Sequence, residues 1–81
     1  MTKEQFMDRV ADMLPELSSL VMDRASKIAD SGCVDLASYD DDFRLPKMFM
    51  AAMGAEIAWQ YKPISMDRKE RRIIKNIERF L

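Results

Sequence analysis

The side chains with the clearest capacity for chemistry are the cations of "SMDRKERRIIKNIERF", residues 65–80 of an 81-residue chain. At helical periodicity Arg68, Arg71, Arg72, Lys75 and Arg79 fall within an arc of about 100°. Ile73, Ile74, Ile77, Phe80 and Leu81 fall on the opposite side. Such a ridge has three uses. It can be a solvated face whose charges complement the negative C-terminal end of their own helix. It can meet an acidic protein surface, the acidic half of a second copy included. It can also line a phosphate backbone, with weak and strongly salt-dependent affinity. Glu70 and Glu78 lie off the centre of the arc, each within reach of a neighbouring Arg or Lys.

Other candidates are weaker. "YDDD", residues 39–42, offers carboxylates of the kind Ca²⁺ and Mg²⁺ accept, but it lacks the alternating ligands, central Gly and distal Glu of an EF-hand loop. The three Asp are expected to face water and to cap the following helix. Cys33 is the single cysteine and the chain has no His, which excludes an internal disulfide and a structural zinc cluster. Asp30 and Asp35 flank that thiol, whereas a reactive thiolate needs an electropositive setting. No Gly-rich phosphate loop, Ser–His pair or Cys–His pair occurs, so neither catalysis nor a cofactor is expected. "SKIADSGCVDL" has Gly32 three residues after Ala29, one short of helix-turn-helix spacing. It would also carry Asp35 and Asp40–Asp42 toward phosphates.

Charge is divided along the chain. Residues 1–42 hold ten acids and four bases, a net of −6; residues 43–81 hold four acids and nine bases, a net of +5. Asymmetry of this kind can mark an interaction surface. The near-neutral total of −1 and the acidic first half weigh against nucleic acid, whose binders more often have a basic pI. The longest apolar stretch, "MFMAAMGAEIAWQY", is interrupted by Glu56 and too short to span a bilayer. "MTKEQFMDRV" has no apolar run behind a basic start, so no signal peptide is expected and the chain is expected in the cytoplasm.

The elements that must position these groups are helical. Ala, Met, Leu, Glu, Lys and Arg dominate, while Gly (two) and Pro (three) are scarce. We expect one domain over residues 1–81, all-α, a compact bundle of three to four helices with an apolar central helix three. Helix one starts at Thr2, whose "TKEQ" is a capping-box pattern. Pro15 kinks this helix or restarts it tightly, because Phe6, Val10, Met13, Leu17, Leu20, Val21 and Ile28 stay in phase across it. Gly32 ends helix two. Val34, Leu36 and Tyr39 are candidates to tuck inward from the connection. Helix three is expected over about residues 44–62, apolar on most sides, with "AAMGA" offering small residues to an approaching helix and Lys62–Pro63 ending it. Helix four begins near Ser65 with Asp67 in its first turn.

A chain this small has a small core, so burial against a second copy would add stability and a homodimer is one expectation. The function expected is non-catalytic: an interaction protein that binds another protein through the ridge. Trp59 and Tyr61 serve as apolar anchors if helix three is incompletely covered. The alternative is nucleic-acid binding through the same face. Motif-free chains of this type are common among phage and mobile-element accessory proteins and regulators, an expectation from type rather than from residues.

Overall fold

The computed structural model describes residues 1–14, 16, 18–55 and 67–81, and these form an all-α domain. Helix α1 spans Lys3–Met13, α2 spans Ser19–Ser31, α3 spans Arg44–Ala52 and α4 spans Arg68–Phe80, with a 3₁₀ turn over Leu36–Ser38. No strand occurs among the described residues. Helix α1 packs against α2 and α3, and α3 packs in turn against α4. The third helix is therefore central, as its apolar composition implies.

The ends of the helices are written in local chemistry. At α1 the Gln5 N–H donates to Thr2 Oγ1 at 3.2 Å, and the Thr2 N–H donates to Gln5 Oε1 at 2.8 Å. This reciprocal box satisfies donors that the helix itself leaves unpaired, and such caps contribute about 1 kcal/mol. Gly32 ends α2 in the left-handed region, at φ 75° and ψ 4°.

Three expected boundaries need correction. In place of the expected kink or tight restart, α1 ends at Met13 and α2 begins at Ser19, and Pro15 itself lies outside the described residues. Leu14 is extended, at φ −97° and ψ 133°, the conformation imposed on a residue that precedes proline. Helix α3 ends at Ala52 rather than near residue 62. Gly54 takes φ 74°, its N–H donates to the Ala51 carbonyl at 3.0 Å, and the Ala55 N–H reaches back to the Met50 carbonyl at 3.0 Å. That pair of bonds is a Schellman stop. Gly54 is exposed, and a Cβ placed there would meet nothing within 4 Å, so what calls for glycine here is the backbone conformation that stops the helix. Helix α4 starts at Arg68, with Asp67 as its N-cap accepting from the Glu70 N–H at 2.9 Å. Ser65 lies outside the described residues.

The core joins Phe6, Val10 and Met13 of α1 to Ala25 and Ile28 of α2. It continues through Leu45, Met48, Phe49 and Met50 of α3 to Ile77 of α4, with Val34 closing one side. Phe6 and Phe49 meet edge to face, with centroids 5.7 Å apart and planes at 77°, the arrangement ring quadrupoles favour. Met13, Met48 and Met50 are buried, so three of the methionines fill the interior. Two residues expected on buried stripes are exposed: Leu20 at 61% and Phe80 at 40%. Each lies in phase with its helix, yet neither is among the side chains packed on the core. Leu17 lies outside the described residues.

Candidate interaction surface

Among the described residues helix α4 packs chiefly through its isoleucine face. Ile77 is fully buried, Ile73 and Ile74 pack partly against the core, and these side chains seat the helix on α3. The opposite face is thereby turned outward. Arg68, Arg71, Arg72, Lys75 and Arg79 are all exposed. Among the described residues, none of the five forms an ion pair. Glu70 and Glu78 form none either, so the pairings expected along the ridge are absent among the described residues. The five cations stand as a row about 16 Å long from Arg68 to Arg79, at 1.5 Å per residue. Arg79 lies in the last turn, where a cation complements the helix dipole. The Leu81 carbonyl beyond it accepts from Arg24 Nη1 at 3.3 Å.

Two bases of the first half, Lys3 and Arg9, are committed to ion pairs. Lys3 Nζ meets Asp30 at 2.9 Å. Arg9 grips Asp41 with two bonds, Nε to Oδ1 at 3.0 Å and Nη2 to Oδ2 at 3.2 Å. It also reaches Asp12 at 3.4 Å and lies 5.5 Å from the centroid of the Phe43 ring. The bond and charge of Asp41 raise the pKa of this guanidinium further. Arg9 thus ties α1 to the segment that leads into α3. The Met1 nitrogen adds a second tie, donating to the carbonyls of Leu36, at 2.8 Å, and Tyr39.

The acids of "YDDD" diverge. Asp41 is held by Arg9, while Asp42 Oδ1 accepts from the Arg44 N–H at 2.9 Å as α3 begins. All three are exposed, as expected, but only Asp42 serves the next helix. No group of acids, Cys and His suited to a metal occurs among the described residues. Cys33 is half-buried and packs against the core.

One feature has no signature in local sequence. The segment over residues 33–44 and the first turns of α4 enclose an open cleft of about 470 Å³. Its walls carry Asp35, Asp40, Asp42, Asp67 and Glu70 against two bases, Arg44 and Lys69, with Val34, Ile73 and Tyr39 as apolar surface. Asp35 is occupied locally, accepting from the Ala37 N–H at 3.2 Å and the Ser38 hydroxyl at 2.7 Å. Burial, then the charge of Glu70, raises the pKa of the Tyr39 phenol, and Arg44 opposes them. Only tertiary packing brings residues 35–42 to residues 67–70. The acidic run and the capping Asp67 were the sequence signals, and neither points to the other.

Trp59 and Tyr61, the expected apolar anchors, lie outside the described residues. In the described part of α3 the large apolar side chains are at least partly covered, which leaves no apolar docking face there. No helix among the described residues is long and apolar enough to cross a membrane. Comparison with known protein families, with curated proteins and with solved structures finds no match.

Proposed function

We propose that this chain is a small, non-catalytic interaction protein of the cytoplasm whose α4 ridge binds an acidic surface on a protein partner. The observation that carries this reading is a row of five exposed cations with no ion pair among the described residues, on a helix whose other face is packed on α3. Five guanidinium and ammonium groups held in one row need little rearrangement to meet carboxylates, and charge matching of this kind sets specificity and association rate. A phosphate backbone is the second reading, because it would find the same row of cations. The carboxylates of the neighbouring cleft and the net charge of −1 would oppose it.

The test is charge reversal with Arg71→Glu, Arg72→Glu and Lys75→Glu in one chain. All three side chains are exposed and unpaired among the described residues, so stability should move by less than about 0.5 kcal/mol per site. The variant should lose a specific protein complex formed by the wild type. In parallel, fluorescence anisotropy with labelled duplex DNA and single-stranded RNA should show no binding at low salt. Binding by the wild type that falls steeply with salt and is lost in the variant would replace the protein reading with the nucleic-acid one.

A further inference from the structure

We propose that the acidic surface met by the ridge is on a second copy of this chain, with the ridge of one copy seated at the acidic cleft of the next. This rests on the protein-binding reading above and names its partner. Both halves of the contact are present in one molecule. The ridge offers five unpaired cations among the described residues, and the cleft offers five carboxylates against two bases. None of those five carboxylates forms an ion pair among the described residues, and those of Asp40 and Glu70, unlike those of Asp35, Asp42 and Asp67, accept no hydrogen bond there either. At about 470 Å³ the cleft falls in the range of ligand-sized clefts, with room for side-chain heads to enter while the helix stays at the rim.

The two surfaces cannot satisfy each other within one chain. On α4, Glu70 and Ile73 of the cleft lie roughly 150° around the helix from the centre of the ridge. They face opposite ways on a single rigid element. The ridge can meet such a cleft only on another molecule. With a net charge of −1, two copies do not repel at long range. Because the contact joins two different patches that face opposite ways, it is heterologous: one end of the assembly keeps a free ridge and the other a free cleft unless it closes into a ring. Association should therefore continue past two copies as concentration rises.

Sedimentation velocity of the full chain over a concentration series tests this. At low salt the weight-average mass should climb above the 9.4 kDa monomer and continue past the dimer. At about 1 M salt, where charges are screened beyond about 3 Å, it should return to the monomer. Two neutralised chains then isolate the contact. One carries Arg71→Gln, Arg72→Gln and Lys75→Gln; the other carries Asp40→Asn and Glu70→Gln. Each alone should be monomeric. Mixed in equal amounts they should form a 1:1 pair and nothing larger, since one intact ridge and one intact cleft remain. A wild-type chain that stays monomeric at low salt and high concentration overturns the proposal, as does self-association that survives both sets of substitutions. If the wild type is monomeric yet its ridge variant loses a complex with another protein, the partner is a different acidic protein, and only this inference fails.

Discussion

Tyr39 lines the cleft, where partial burial and the nearby Glu70 carboxylate both disfavour the phenolate, and its pKa is raised. The folded pKa thus lies above the unfolded value of about 10. The stability this contributes is fully present below about pH 10 and is lost as pH rises through the folded pKa. In a Tyr61→Phe background, phenolate absorbance should report Tyr39 alone, with a midpoint above the free-tyrosine value. Adding Glu70→Gln should move that midpoint down, and an unchanged midpoint would remove the carboxylate from the account. Single residues were also where the sequence could be read most directly. Thr2 and Gln5 form a box because their spacing allows it, and Gly32 ends its helix because a glycine adopts a positive φ freely. Arg9 carries no such local signal. Its grip on Asp41, 32 positions away, is a tertiary fact.

At the scale of elements, α4 shows what periodicity carries and where it stops. The opposition of isoleucines and cations placed the buried face and the exposed ridge correctly. It could not show that Phe80, in phase with the isoleucines, stays exposed. Helix α3 failed differently. The apolar pattern runs on past Ala52, so periodicity extends the helix, but the backbone at Gly54 halts it. Ala there would have to hold a positive φ, at a cost of about 1 kcal/mol. Gly54→Ala should therefore lower the unfolding free energy by that amount in urea titrations. Asn, which tolerates this conformation better, should cost less. If Gly54→Ala is neutral or stabilising, the stop is not set by this residue. The break between α1 and α2 escapes the pattern for a related reason. Phase across Pro15 was preserved in the pattern, yet the constraint proline places on Leu14 ends α1 regardless of phase.

For the whole molecule, the Cα radius of gyration is 11.3 Å, against about 11.7 Å expected for a compact domain of this length. The opposed charges of the two halves of the chain therefore coexist within one small body. The sequence showed this imbalance as a tally along the chain. It could not show that part of it becomes a carboxylate-lined hollow on one side of α4 and a cationic row on the other. Those two surfaces take their directions from a single helix, so any contact through one leaves the other unsatisfied.

Cys33 lies in the wall of that hollow, half-buried, beside the core residue Val34, and it is the chain's single thiol. This makes it a clock. Part of the residue already faces the open cleft, and the part packed on the core is freed when the wall swings away, so the labelling rate should rise with openings of residues 33–44. The 3₁₀ turn is short and its outer residues, Ala37 and Ser38, are exposed, the profile of a segment that opens ahead of the core. Ile77→Ala, which should cost about 2–5 kcal/mol of global stability, is expected to leave the ticking of Cys33 unchanged. A rate that accelerates in step with that loss would mean instead that the wall and the core come apart only together.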